Sequence, residues 1–143
     1  MKEINKFKII HRDIKPSNIM FKNEESFEGL KLIDYGLCAN FTDHTPDSLL
    51  HDKSGTACYL APELVGMSYL KKFYDEKADV FSIGIIIYEI LSGGNPFTHN
   101  DYNESLILNF NCNIDYDLLE VNEMVLQFVK GLTQKNPLKR MSA

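Results

Sequence analysis

The segment from Lys77 to Ser92 constrains the fold of this chain more than any other feature, because almost all of its residues are apolar. A helix that is apolar on every face belongs in a protein core. The β-branched residues would also suit a buried strand, but the length favours a helix, and the Gly-Gly-Asn-Pro sequence at 93–96 is typical of a helix end. We therefore expect a central helix that is buried on all sides. Its apolar residues are Val80, Phe81, Ile83, Ile85, Ile86, Ile87, Tyr88, Ile90 and Leu91.

The composition fits one globular domain of 143 residues, with 44% hydrophobic and 24% charged residues. A net charge of -5 argues against an electrostatic surface for nucleic acid or anionic membranes. The apolar segment is also shorter than the roughly 18 residues that a membrane span needs. Cys38, Cys58 and Cys112 include no C-x-x-C pair, which fits a reducing, cytoplasmic setting. We expect protein and small-ligand partners, and neither nucleic acid nor membrane.

A polar loop followed by a hairpin is expected near the start of the chain. Residues 11–18 are polar, and Pro16 would interrupt any strand. Two short apolar runs, Ile19–Phe21 and Leu30–Ile33, flank the charged residues 22–29, which end in glycine. This pattern predicts a hairpin of two short strands.

The rest of the chain is predicted to be loop and helix. The polar connection at 34–56 is long, and loops of this length are usually functional or mobile. Amphipathic stretches at Asp101–Asn109 and Val121–Thr133 predict two further helices. The fold class is therefore mainly α with a small β-hairpin.

The polar loop His11-Arg12-Asp13-Ile14-Lys15-Pro16-Ser17-Asn18 carries the strongest chemical signal, because it fits the catalytic-loop pattern of protein kinases. Phosphate transfer from ATP needs a carboxylate that orients the attacking hydroxyl and cations that neutralise the transferring group. Asp13 is the candidate base, and Lys15 is the candidate phosphate-binding cation. Asn18 offers a carbonyl oxygen to Mg²⁺, which prefers oxygen ligands.

The chain resembles the eukaryotic-type serine/threonine protein kinases in five segments that occur in the family's order. Lys15 before Pro16, and Gly55 before Thr56, are typical of the serine/threonine rather than the tyrosine kinases. The residues at 74–79 and 91–97 are most similar to the calcium/calmodulin-dependent or calcium-dependent branch. The five segments are His11–Asn18, Asp34-Tyr35-Gly36 in place of Asp-Phe-Gly, Gly55–Glu63, Asp79–Gly84 and Asn136–Arg140.

The resemblance implies roles in catalysis and in the binding of ATP and Mg²⁺. Asp34 would join Asn18 as a metal ligand and bridge Mg²⁺ to the ATP phosphates. Met20, Ile33 and Lys15 would also contact ATP. Substrate-binding or activation roles would fall to Arg12, Thr56, Tyr59 and Glu89, with Thr56 bridging Asp13 and Lys15.

Other matched residues would be structural. Arg140 would pair with Glu63, and Asp79 would accept backbone N–H groups of the catalytic loop, which also contains His11. Tyr35 keeps an aromatic ring but adds a hydroxyl that needs a hydrogen-bond partner if it is buried.

Two features leave alternatives open. Glu89 would attract a basic substrate residue, or it would be a helix glutamate that is paired locally. Arg12 suggests control by phosphorylation of the segment 34–63, where Thr42, Thr45, Ser48 and Ser54 are either the candidate sites or ordinary solvated loop residues. The histidines and aspartates of the same loop lack the regular spacing of metal ligands.

Nothing before His11 supplies a glycine-rich loop, a strand lysine or its helix glutamate partner. The resemblance therefore covers residues 1–143 as a partial kinase domain, the C-terminal lobe, with the N-terminal lobe absent and expected from a longer chain. It implies ATP-dependent phosphorylation of protein serine or threonine by the complete domain, and no transfer by these residues alone. The alternative is a non-catalytic, kinase-like module that binds a protein partner through its exposed apolar surface.

Overall fold

Two antiparallel strand pairs enclose the polar loop at the start of the chain. The computed structural model describes residues 9–22, 29–40, 55–66 and 75–142. Strand β2 (Ile19–Met20) pairs with β3 (Lys31–Leu32), which confirms the predicted hairpin, although both strands are shorter than the apolar runs. Strand β1 (Ile9–Ile10) pairs with β4 (Ala39–Asn40). This second pair was not expected. It holds the residues before the polar loop, while the β2–β3 pair holds the residues after it.

Four α-helices follow in the described part of the chain: α1 (Pro62–Val65), α2 (Lys77–Ser92), α3 (Tyr102–Asn111) and α4 (Glu123–Leu132). The last two confirm the helices predicted from amphipathic patterns. Asp101 caps α3 by accepting the N–H groups of Asn103 and Glu104, and Asn122 caps α4 by accepting that of Val125. Short 3₁₀ turns occupy Pro16–Asn18, Tyr116–Leu118 and Pro137–Lys139.

The predicted central helix is α2, and most of it is buried. Phe81 and Ile85 lie in one apolar cluster with Phe97, and Tyr88 lies in another with Leu119 and Val129. Gly93 ends the helix with a φ of 79° and donates its N–H to the carbonyl oxygen of Glu89.

The expectation that α2 is buried on all sides was wrong at its last turn. Ile90 is 75% exposed and Leu91 is 38% exposed. The described elements cover the first three turns and leave this end largely uncovered. An apolar residue type therefore did not imply burial, because much of a folded surface is itself apolar.

Gly84 lets α2 approach the end of α4 closely. A Cβ atom at this position would lie 2.7 Å from Cγ2 of Thr133 and 2.8 Å from Cβ of Leu132. We expect Gly84→Ala to lower the free energy of unfolding by up to about 2 kcal/mol, because overpacking costs about 1–3 kcal/mol and the gain in helix propensity returns about 1 kcal/mol. Thermal denaturation measures the loss. Gly94→Ala is the control, since no atom lies within 4 Å of its Cβ position; equal stability of both variants and the wild type would contradict the prediction.

The three cysteines are free thiols. Among the described residues, no helix is long and apolar enough to cross a membrane.

Candidate active site

The backbone of the candidate catalytic loop, residues 11–18, is held by Asp79, in the first turn of α2. Its carboxylate accepts the backbone N–H of His11 at 2.7 Å and that of Arg12 at 2.9 Å. Arg12 has a φ of 68°, a left-handed conformation that is strained for a residue with a side chain. Burial raises the pKa of Asp79 above its ordinary value, although the two backbone hydrogen bonds oppose this effect. The predicted contact between Asp79 and the loop is therefore present.

His11 is fully buried and connects the loop to the segment that follows the hairpin. Its Nε2 lies 3.1 Å from the carbonyl oxygen of Ile33, and its Nδ1 lies 3.4 Å from the backbone nitrogen of Asp13. A carbonyl oxygen only accepts and an amide only donates, so in these contacts Nε2 is the donor and Nδ1 is the acceptor. The ring also meets Tyr35 edge-on, with centroids 5.1 Å apart. Tyr35 is 50% exposed. The residue is therefore not buried, and the expected need for a buried hydrogen-bond partner does not arise.

Asp13, Lys15 and Thr56 form a closed ring of hydrogen bonds. Oδ2 of Asp13 is 2.8 Å from Nζ of Lys15, and its Oδ1 accepts the hydroxyl of Thr56 at 2.7 Å. Lys15 in turn donates to the Thr56 hydroxyl at 2.7 Å. Asn18 donates from Nδ2 to the backbone oxygen of Asp13 at 2.8 Å and to Oδ2 at 3.1 Å. The structure thus brings these four predicted residues together, including Thr56 as the bridge.

These contacts decide the charge of Asp13. Burial raises the pKa of its carboxyl group. The hydrogen bonds from Lys15, Thr56 and Asn18, together with the positive charge of Lys15, outweigh burial and hold the pKa of Asp13 below its ordinary value. Ionised Asp13 therefore stabilises the fold above its unfolded-state pKa, and this contribution is lost as the pH falls through the lower folded-state pKa.

Removing the Thr56 hydroxyl is expected to raise the pKa of Asp13. Thr56→Val keeps the shape of the side chain but deletes one donor to the carboxylate, so the charged form is less favoured. A ¹³C NMR titration of the Asp13 carboxyl group measures the change. Thr98→Val, at an exposed position on another segment, should leave that titration unchanged. A pKa of Asp13 that is equal or lower in Thr56→Val would contradict this prediction.

Asn18 and Asp34 are the predicted metal ligands, and they lie on adjoining segments. The backbone N–H of Ile33 donates to the backbone oxygen of Asn18 at 2.9 Å. Asn18 is buried and uses its amide nitrogen in the loop, while no described donor reaches its side-chain oxygen. The Asp34 carboxylate is exposed and accepts only the N–H of Gly36 within the described chain, at 3.3 Å. An orphaned amide oxygen and an exposed carboxylate fit the oxygen ligands of Mg²⁺.

The described residues contain no cluster of three or more histidine, cysteine or acidic side chains that could hold a metal by themselves. Two chain ligands suit a Mg²⁺ ion that keeps several water or phosphate ligands. The predicted ATP-contacting residues differ in exposure, since Met20 is 54% exposed and Ile33 is half-buried.

The predicted substrate-binding residues Tyr59 and Glu89 contact each other. The Tyr59 hydroxyl donates to Oε2 of Glu89 at 2.8 Å, and the side-chain amide of Asn95 approaches the same oxygen at 3.4 Å. Burial, together with the negative charge of Glu89, raises the pKa of Tyr59. No cation among the described residues forms an ion pair with Glu89, so its charge is balanced only by these neutral donors.

Arg12 contacts the segment after Asp34, because its Nε donates to the carbonyl oxygen of Leu37. The candidate phosphorylation sites Thr42, Thr45, Ser48 and Ser54 lie outside the described residues. Their relation to Arg12 therefore stays a prediction.

Glu63 and Arg140 form the predicted buried ion pair. The guanidinium donates to both carboxylate oxygens, at 2.6 and 2.9 Å, and the Arg140 side chain is fully buried. It also donates to the carbonyl oxygens of Lys77 and Gln134, at 2.7 and 2.9 Å. The guanidinium lies over the Phe81 ring, 4.9 Å from its centroid. These contacts connect Glu63, the last residue of the matched segment Gly55–Glu63, to Arg140 near the end of the chain.

Asn109 was not predicted as a functional residue from the sequence. This asparagine is fully buried on α3, where it contacts the backbone of residues 58 and 60. Its position along the predicted helix could have indicated its burial, because it lies three residues after Leu106, on the same, core-facing side of the helix. A polar residue at such a position needs hydrogen-bond partners.

Comparison with known proteins places these contacts in a family context. The family model described as "Protein kinase domain" matches residues 1–143. The chain is 37% identical over 139 residues to a CDPK-related protein kinase of Daucus carota and 38% identical over 140 residues to CDPK-related kinase 8 of Arabidopsis thaliana. It is 32% identical over 138 residues to the probable serine/threonine-protein kinase 2 of Plasmodium falciparum. Each alignment covers 94% of this chain but only 22% of the first two relatives and 26% of the third.

Proposed function

This chain belongs to the protein kinase family, in the branch of the CDPK-related serine/threonine kinases, and we propose that it carries the catalytic and substrate-binding lobe of such an enzyme. The proposed reaction transfers the terminal phosphate of ATP to serine or threonine hydroxyls of a protein. The single observation that carries the proposal is the ring of Asp13, Lys15 and Thr56, closed by hydrogen bonds of 2.7 and 2.8 Å.

The ionised Asp13 carboxylate can orient an attacking hydroxyl, because it has an acceptor position to spare. A carboxylate has about four acceptor positions, and three of them are used by Thr56, Lys15 and Asn18. The remaining position, on Oδ1, can accept the hydrogen of a substrate hydroxyl. Because its lowered pKa keeps Asp13 ionised at neutral pH, the carboxylate is ready to accept that bond.

Lys15 is also proposed to contact the phosphate group that is transferred. Its side chain is 24% exposed, and it already neutralises the Asp13 carboxylate. The same ammonium group can reach a phosphate oxygen while it stays beside Asp13, since an ammonium has three donors. It would then stabilise negative charge on the group being transferred.

Asn18 and Asp34 are proposed to hold Mg²⁺. Asn18 offers a side-chain oxygen that no described donor reaches, and Asp34 offers an exposed carboxylate. The ion, when bound, would neutralise charge on the ATP phosphates. The chain supplies position and charge, because little covalent chemistry is required of the protein in phosphate transfer.

The exposed apolar hairpin supports the assignment as a C-terminal lobe. Met20, Phe21 and Leu30 are 54%, 48% and 58% exposed. We propose that the smaller lobe of a longer chain covers this surface and that ATP binds between the lobes, against Met20 and Ile33. The partial length of the match to its relatives fits this proposal.

Glu89 is proposed to receive a basic residue of the protein substrate. Its carboxylate is partly buried beside Tyr59 and Asn95, and the described residues give it no cationic partner. A lysine or arginine of the substrate would supply that charge.

The same exposed hairpin favours one alternative, a non-catalytic module that binds a protein partner through this apolar surface. Against it stands the complete ring around Asp13, which binding alone does not require.

The experiment incubates the full-length protein that carries this chain with γ-radiolabelled ATP, Mg²⁺ and casein, and identifies the labelled amino acids after hydrolysis. We expect label on serine or threonine, and loss of labelling when a chelator removes Mg²⁺. A folded protein that leaves casein and itself unlabelled would contradict the proposal and favour the binding module.

A further inference from the structure

A single asparagine of α3, Asn109, hydrogen-bonds the backbone on both sides of Tyr59, at Cys58 and at Leu60. Oδ1 of Asn109 accepts the backbone N–H of Cys58 at 2.8 Å, and its Nδ2 donates to the carbonyl oxygen of Leu60, also at 2.8 Å. Asn109 is fully buried, and its bond to Leu60 is buried as well, while its bond to Cys58 is part-buried.

The orientation of this amide is fixed by chemistry. The N–H of Cys58 can only donate, and the carbonyl of Leu60 can only accept. The oxygen must therefore face Cys58 and the nitrogen must face Leu60. No aliphatic side chain could satisfy either group, and a buried backbone group without a partner is costly.

The segment that Asn109 holds has an unfavourable backbone conformation. Cys58 has a φ of 81°, in the left-handed region that favours glycine. Such a conformation persists only when the surrounding contacts impose it. The side-chain amide of Asn95 approaches the Cys58 carbonyl oxygen at 3.5 Å, and the Ser82 hydroxyl donates to that of Tyr59 at 2.8 Å. Asn109 contacts the groups on either side of these two, the N–H of Cys58 and the carbonyl oxygen of Leu60.

This short segment joins the two ends of the proposed substrate site. Thr56, two residues before Cys58, contacts Asp13, while Tyr59 contacts Glu89. The path of residues 58–60 therefore sets where the Tyr59 hydroxyl meets Glu89, the proposed site for a basic substrate residue.

We propose that Asn109 is a positioning residue, which imposes the strained path of residues 58–60 and thereby sets the affinity for the protein substrate. This inference rests on the function proposed above. Asn109 touches neither Asp13 nor the metal-binding pair, so it acts on substrate binding and leaves nucleotide binding unchanged.

The first test is Asn109→Leu in the full-length protein, which replaces the amide by an apolar group of similar size. The substrate is the serine/threonine peptide that the wild type phosphorylates best in a peptide library. We expect the KM for this peptide to rise by about tenfold or more, because two buried backbone groups lose their partners. The KM for ATP and the rate of ATP hydrolysis without peptide should stay within about twofold.

Asn111→Leu is the matched control, because it makes the same change at an exposed position of the same helix. It should leave the KM for the peptide unchanged. An unchanged peptide KM in Asn109→Leu, or equal losses in peptide KM and peptide-free ATP hydrolysis, would overturn the proposal.

A second variant remains informative if Asn109→Leu folds poorly. Asn109→Asp keeps the shape and the acceptor for Cys58, but an ionised carboxylate repels the Leu60 carbonyl, while a protonated one can donate to it. The ratio of variant to wild-type peptide KM should therefore fall as the pH is lowered. A ratio that is independent of pH would contradict the role of Asn109 as a donor to Leu60.

Amide hydrogen exchange separates failure of this inference from failure of the proposed function. If the wild type transfers no phosphate, the proposed function fails, but the contact with Cys58 is still testable. Exchange at the Cys58 amide should accelerate by about tenfold or more in Asn109→Leu and stay unchanged in Asn111→Leu. Equal protection in both variants would exclude Asn109 as the residue that imposes the path of this segment.

Discussion

Replacing Arg140 by methionine is expected to lower the free energy of unfolding by about 3–5 kcal/mol. The change leaves the Glu63 carboxylate, whose side chain is only 10% exposed, without its cation. It also removes the donors to the carbonyl oxygens of Lys77 and Gln134. Urea unfolding, followed by a probe in this domain, measures the loss.

Two further variants give this prediction its controls. Lys139→Met removes a neighbouring positive charge at an exposed position and should change stability by less than about 0.5 kcal/mol. Glu63→Gln combined with Arg140→Met should be more stable than Arg140→Met alone, because no uncompensated charge then remains. A loss below about 1 kcal/mol for Arg140→Met would show that the pair contributes little.

Replacing Asp13 by asparagine is expected to lower kcat for phosphate transfer by about 10²–10⁴-fold. Asparagine has nearly the same shape, but its amide cannot replace a carboxylate as the acceptor of both Thr56 and Lys15 and of the substrate hydroxyl. Steady-state assays of the full-length protein measure the change.

Asp117→Asn is the control for this change, because Asp117 is an exposed aspartate in a 3₁₀ turn away from the loop. It should keep the wild-type kcat. Thermal denaturation should show that Asp13→Asn remains folded. A kcat within about threefold of the wild type in Asp13→Asn would mean that Asp13 does not orient the attacking hydroxyl.

The candidate site was more predictable than the fold around it. The cluster of Asp13, Lys15 and Asn18 could be predicted because three chemical groups needed for one reaction lie within six consecutive residues. Thr56 and Arg140 are distant in sequence, and only the resemblance to a known family indicated their contacts. Periodicity was sufficient for α3 and α4, whose patterns extend over several turns, while the length of the apolar segment and the sequence at 93–96 indicated α2.

Strand β4, the unusual backbone of Cys58 and the exposure of Ile90 could not be predicted. Strand β4 has only two residues, Ala39 and Asn40, in a polar connection, so no alternating pattern exists to detect. The positive φ of Cys58 depends on contacts with other segments, among them α3, which begins more than forty residues later. The exposure of Ile90 depends on which elements cover the end of α2, and its apolar side chain carries no such information.

The central claim is that Asp13 and Lys15 act together in one phosphate-transfer centre. The most direct test measures kcat/KM for Asp13→Asn, for Lys15→Ala and for the double variant in the full-length protein. Residues that act as a unit show non-additive losses. We expect the double variant to lose no more activity than the more impaired of the two single variants. Losses that multiply in the double variant, or single variants that keep wild-type activity, would contradict the claim.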